Sequence, residues 1–143
     1  MAKNYQTSES IPGISINADD SGRNNLLPET NGLGLVAGGG AVTQITSAST
    51  GVTLNKPCGQ ITTVSLTTAA AAETIFTVTN SFVTAEDVVA ICISTYAGAG
   101  TPIAATKNVT TGAFDVVITN LHASSALDAT LTLNFIVLKA SNA

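Results

Sequence analysis

Charge is scarce in this sequence. Asp, Glu, Lys and Arg make up only 10 % of it, against roughly 25 % in an ordinary soluble domain. The basic residues Lys3, Arg23, Lys56, Lys107 and Lys139 stand singly. Nucleic-acid affinity rests on clustered cations that neutralise phosphates, so no nucleic-acid partner is expected. Long apolar runs are also missing. The best, Val88 to Ile93, is six residues, whereas a membrane-spanning helix needs about 20, so no membrane partner is expected. The opening MAKNYQTSESIPG has one Lys and no apolar stretch. No signal peptide is expected from it, and synthesis in a cytoplasm follows.

Reactive side chains are few. In a cytoplasm Cys58 and Cys92 are expected as reduced thiols. Cys92, inside VAICIS, reads as a small buried hydrophobe, and Cys58, in the turn KPCGQ, as partly exposed. The one histidine, His122, lies in a polar loop. Asp115, Asp128, Ser124 and Ser125 are near it in sequence, but no nucleophile elbow accompanies them, and a solvated loop histidine is the better reading. A zinc site on Cys58, Cys92 and His122 lacks the C-x-x-C or H-x-x-x-H spacing. The pairs Asp19-Asp20 and Glu86-Asp87 are adjacent, and neighbours on a strand point to opposite faces. Gly32, Gly34 and Gly38 form G-x-G-x-x-x-G with no strong strand before and no helix after, which is no phosphate loop. No catalytic residue, cofactor or metal ligand is assigned.

What is present is β-branched and small. The chain of 143 residues holds 22 Thr, and hydrophobic residues reach 45 % with no Trp. Many small residues and few charges imply a surface covered by something other than water, for which a homo-oligomer is the simplest account. The boundary is Gly38 to Gln60, GGGAVTQITSASTGVTLNKPCGQ. Before it, residues 1–37 show no useful helical or strand period. They read either as a disordered tail or as an arm that orders on a partner, and spaced apolar anchors at Ile11, Ile14, Ile16, Leu26 and Leu27 favour the arm. Fully extended, it reaches roughly 120 Å at about 3.3 Å per residue. Gly38, Gly39 and Gly40 read as its hinge.

From Ala41 the apolar period becomes two, the signature of strands. Strands are expected at Val42–Thr46, Val52–Asn55, Gln60–Leu66, Thr74–Asn80, Val88–Thr95, Ile103–Val109, Ala113–Leu121 and Thr130–Lys139. The stretch Thr67–Glu73 reads as a loop or a single helical turn. Val88–Thr95 is apolar on both faces and is expected at the centre of a sheet. Val117, Ile136 and Leu138 break strict alternation, as though a second face were buried too. The expected architecture is all-β: an antiparallel β-sandwich, jelly-roll-like, of seven or eight strands over residues 41–143, preceded by an extended arm and hinge over 1–40.

The stretch AVTQITSASTGVTLNKPCGQIT, followed by FTVTN, a DVV strand and LNFIVLKA, resembles a β-domain widespread in virion proteins of tailed bacteriophages. It occurs in capsid decoration (cement) proteins, head fibres and tail-fibre segments. The resemblance covers about Val42 to Ala140, and its most specific residues are Thr50 to Lys56 with Cys58-Gly59. It implies an antiparallel sandwich assembling as a homotrimer without enzymatic activity. Residues 1–37 carry neither a G-X-Y repeat nor heptads, so no fibre shaft is expected. The expectation is therefore a decoration protein on the capsid surface, with itself and the major capsid protein as partners. A short head- or tail-fibre module is the alternative, with host-receptor or carbohydrate contacts on loops Tyr96–Thr101 and His122–Asp128. An enzyme acting on host polysaccharide is a further rival, and needs convergent carboxylates among Glu86, Asp87, Asp115 and Asp128.

Overall fold

A computed structural model of the chain describes residues 39–140 throughout, and residues 16–18 and 24–26 as strands. The chain divides into two units, Met1–Ala37 and Gly38–Ala143. In the first, β1 (Ile16–Ala18) pairs antiparallel with β2 (Asn24–Leu26), with Ile16 opposite Leu26. The other expected anchors, Ile11, Ile14 and Leu27, and Gly38 of the hinge lie outside the described residues.

The second unit is all-β and holds eight strands: β3 (Gly40–Thr43), β4 (Val52–Thr53), β5 (Cys58–Thr62), β6 (Glu73–Thr79), β7 (Val88–Tyr96), β8 (Pro102–Thr110), β9 (Ala113–Asn120) and β10 (Leu131–Leu138). They form two four-stranded sheets, β3-β5-β10-β7 and β4-β6-β9-β8. Alternation of apolar and polar residues sets the faces, as period-two patterns must on a pleated strand. Phe76 and Val78 of β6, Phe114, Val116 and Ile118 of β9, and Leu131, Leu133, Phe135 and Val137 of β10 are buried between the sheets. Phe114 meets Phe135 across the two sheets, with ring centroids 5.6 Å apart and planes tilted by 54°.

The expectation of an antiparallel sandwich needs correction, because both sheets are mixed. β3 runs parallel to β5, with Val42 opposite Ile61, and β4 runs parallel to β6, with Val52 opposite Val78. The turns SASTG and KPCG do not return the chain beside its last strand. Each carries it over to the other sheet, so two successive reversals bring β5 back in the direction of β3. Of the connections from β3 onward, only the hairpin from β8 to β9 stays within one sheet. Its turn ends on Gly112 at φ +88°, a conformation that costs a residue with a Cβ.

A second correction concerns β7. It is an edge strand beside β10, not a central one. Val89, Ile91 and Ile93 pack inward, while Val88, Ala90 and Cys92 are exposed. Cys92 is therefore not the buried hydrophobe its surroundings in sequence imply. Thr106 of β8 donates to the Val89 carbonyl at 2.8 Å and so ties the adjoining edges of the two sheets. Gly40 belongs to the sandwich as the first residue of β3, opposite Gly59. A Cβ on Gly59 would lie 2.6 Å from the Gly40 carbonyl oxygen, so this close approach requires glycine.

Two buried amides close the ends of the sandwich. Asn80 Nδ2 donates to the Lys56 carbonyl, and its Oδ1 accepts from the Phe82 N–H. Asn120 Nδ2 donates to the carbonyls of Thr68, Ala69 and Ser125, while its Oδ1 accepts from Thr101 and His122. Loops that carry no strand pairing thus have their backbone groups satisfied by a fixed side chain. The run 67–72 is a loop with a turn at Ala70-Ala71, and Glu73 already opens β6.

The position of the core makes a contrast measurable. Phe114→Ala is expected to cost about 3–5 kcal/mol in urea unfolding. Ile75→Ala, on the outer face of β6, is expected to cost less than about 1 kcal/mol. Equal losses would place the core elsewhere.

Candidate functional site

Asp87, Asp115 and Asp128 are drawn apart, each to its own partners. Asp87 is held by Lys139, whose Nζ lies 2.6 Å from Oδ2. The Thr84 and Ala140 N–H groups donate to the same carboxylate. The Lys139 ammonium pulls the Asp87 pKa from 3.8 to about 2, against an opposing contribution from desolvation. Asp115 accepts from Asn108 Nδ2 at 2.8 Å and from Thr77 Oγ1 at 2.7 Å. These two hydrogen bonds, with the nearby Lys107 charge, lower its pKa although partial desolvation opposes them. Asn108 reaches Asp115 from a bulge in β8, where it takes φ 50°, a conformation Asn tolerates better than most residues. Asp128 Oδ1 accepts from the Ala99 N–H at 2.7 Å. Among the described residues, no group of three or more His, Cys, Asp or Glu gathers as a metal site would require.

The loops considered for receptor contact use their polar groups on one another. Tyr96 OH donates to the Ala99 carbonyl and accepts from the Asp128 N–H. His122 Nδ1 accepts from the N–H groups of Ser124 and Ser125, at 3.2 and 2.9 Å. That imidazole nitrogen is occupied in shaping its own loop, and Asp115 lies on β9, engaged with Asn108 and Thr77. Another loop, from Gln44 to Thr50, is braced by Gln44 Nε2, which donates to the Ala48 and Thr50 carbonyls.

The outer faces of the two sheets differ in kind. On β6-β9-β8 the rows across the strands read Glu73–Thr119–Ile103, Ile75–Val117–Ala105 and Thr77–Asp115–Lys107. Charge flanks one apolar row, and Val117 is covered to 8 % exposure between its neighbours. Its break in alternation is therefore met within this sheet. On the other sheet the rows read Leu138–Val88, Cys58–Ile136–Ala90, Ala41–Gln60–Asn134–Cys92 and Thr43–Thr62–Thr132–Thr95. None contains a charged residue. Gln60 Nε2 donates to Asn134 Oδ1 at 3.2 Å across the third row, and four threonines span the fourth.

This face also carries a shallow groove of about 240 Å³ between β7 and β10, lined by Ala90, Ile91, Cys92, Asn134, Phe135 and Ile136. Val88 and Leu138 remain 55 % and 49 % exposed at one end of the face. Both cysteines lie on it, and no disulfide joins them. They sit on strands either side of β10 and two residues out of register, which separates them by roughly 12 Å at sheet spacings. A bridge needs Cα atoms within about 7 Å. The double-sided apolar pattern of β7 and of the end of β10 is the sequence signal for this face. It marks side chains with two apolar surroundings, but not which sheet neighbour is missing.

No protein-family model, curated protein or solved structure matches the chain.

The Asp87–Lys139 pair gives the fold a pH dependence of definite sign. A carboxylate whose pKa is depressed on folding stabilises the native state above its unfolded pKa and loses that contribution as pH falls through the folded one. Asp87→Asn is expected to be less stable than wild type above about pH 4, with the difference closing as pH falls towards 2. Thermal melts of both proteins across that range provide the check. A constant difference would mean that the charge on Asp87 is immaterial.

Proposed function

We propose that this chain is a structural virion protein of a tailed bacteriophage: a decoration, or cement, protein that binds the outer capsid as a homotrimer and stabilises it. The observation that carries the reading is the pairing of one charged sheet face with one charge-free face, in a chain whose charges are few. A sheet face left to water ordinarily alternates towards charged side chains. A face of Thr, Ala, Cys, Gln, Asn, Val, Ile and Leu suits contact with protein. The resemblance over Val42 to Ala140 supports the same reading, and the two four-stranded layers serve as a jelly-roll-like body for it.

The mechanism is mechanical, not catalytic. Trimers sit over junctions between copies of the major capsid protein on the virion surface. The segment 1–37, with Ile11, Ile14, Ile16, Leu26 and Leu27 as apolar anchors, docks along neighbouring subunits, and Gly38-Gly39, ahead of β3, sets its exit angle. Buried apolar area and added strand pairing hold neighbouring capsid subunits together. Three such segments per trimer raise the effective affinity, because each later contact is intramolecular.

The test is binding to empty expanded capsids, with the number of copies counted. The full chain is expected to bind in hundreds per particle, whereas a few copies would favour the fibre module. Removal of residues 1–37 is expected to leave a folded sandwich that no longer binds. Equal binding by the truncated chain would remove the segment from the mechanism.

A further inference from the structure

We infer that the outer face of β3-β5-β10-β7 is where copies of this chain meet one another. The inference rests on the proposed self-association and assigns it a surface. Three observations select this face and this occupant.

The first is charge. The protein is net negative, at −4, so copies repel unless their contact avoids acidic groups. The opposite sheet presents Glu73, Asp115 and Lys107, whereas the four rows from Leu138–Val88 to Thr43–Thr95 present none. The second is hydrogen-bonding character. The polar groups here are hydroxyls and carboxamides, each both donor and acceptor. A row of threonines, or a Gln60–Asn134 pair, therefore meets a complementary group whenever it meets its own copy, with no partner of matched charge needed. The third is area. At strand spacings near 4.8 Å and a rise near 3.3 Å per residue, strands of four, five, eight and nine residues project roughly 400 Å². Side-chain relief raises the accessible area above that projection, towards the roughly 800 Å² per partner of a standard interface. Around a threefold axis, three such sheets form a closed prism with Asn134, Ile136, Ala90 and Cys92 turned inward.

Two variants and a native thiol test this in the full chain. Asn134→Asp changes almost no volume and still accepts from Gln60 Nε2, so the fold is kept while every copy gains a negative charge on the face. Ala90→Lys does the same with opposite sign. Ala105→Lys, on the outer face of β8, is the control. Mass is read by sedimentation, folding by thermal melts, and Cys92 burial by the rate of maleimide labelling followed by peptide mapping. The expected result is an oligomeric wild type with Cys92 labelled at least tenfold more slowly than in urea. Asn134→Asp and Ala90→Lys are expected to be folded and dissociated at least a hundredfold more readily, with Cys92 labelled rapidly, and Ala105→Lys to behave as wild type. A wild-type oligomer that persists in both face variants, or that labels at the unfolded rate, overturns the assignment of the face and leaves self-association standing. A monomeric wild type overturns the trimer itself, and a monomer with protected Cys92 means that a segment of the same chain covers the face.

Discussion

The sandwich depends on two central strands and on what lies between them. β9 sits inside one sheet and β10 inside the other, and Phe114 and Phe135 meet where they face each other. In a chain with four Phe, two Tyr and no Trp, that contact places the largest apolar surfaces at the middle of the layer. Branched aliphatic residues fill the space around it: Val116 and Ile118 from one side, Leu131, Leu133 and Val137 from the other. Aromatic pairs in tilted geometry contribute beyond their buried area. The flanking strands β5, β6, β7 and β8 are positioned by pairing with these two, and the outer faces follow from that placement.

The faces of the strands were legible in the sequence. The alternation along β6, β9 and β10 separates inward from outward residues as they stand, and Thr110-Thr111-Gly112 between β8 and β9 is tight-turn sequence. Neighbour relations were not legible. Period two says which side chains share a face, yet nothing local distinguishes a turn that closes a hairpin from one that crosses to the opposite sheet. The parallel outer pairs β3–β5 and β4–β6 were missed for that reason. The apolar second face of β7 implies a central strand in the sequence because cover by other elements and a charge-free surface leave the same pattern. Asn80 and Asn120, each fully buried, gave no signal either. A strand-ending Asn that organises a loop looks like any turn residue until its partners, as distant as Lys56 and Thr68, are seen in place.

The same ambiguity explains how the candidate face is built. Ile136 and Leu138 break alternation at the end of a strand whose inner residues are fully committed to the core. Val117 breaks it on the other sheet and is covered there by Ile75 and Ala105. One irregularity is resolved within its own sheet, and the other is left open. The difference lies in pairing: Val117 has a strand partner on each side, whereas β5 reaches along β10 only to Ile136, so Leu138 is paired on one side alone, with Val88.

The crossing connections place a demand on synthesis. β5 and β7 do not touch as neighbours; β10 joins them, and β10 is the last strand in the order of the chain. A polypeptide emerging from the ribosome therefore carries the strands of this sheet with open hydrogen-bonding edges until Leu131–Leu138 is free to insert between them. Such edges are where chains stick to one another. Chain ends that stop short of β10 lose the joint of a sheet rather than its rim.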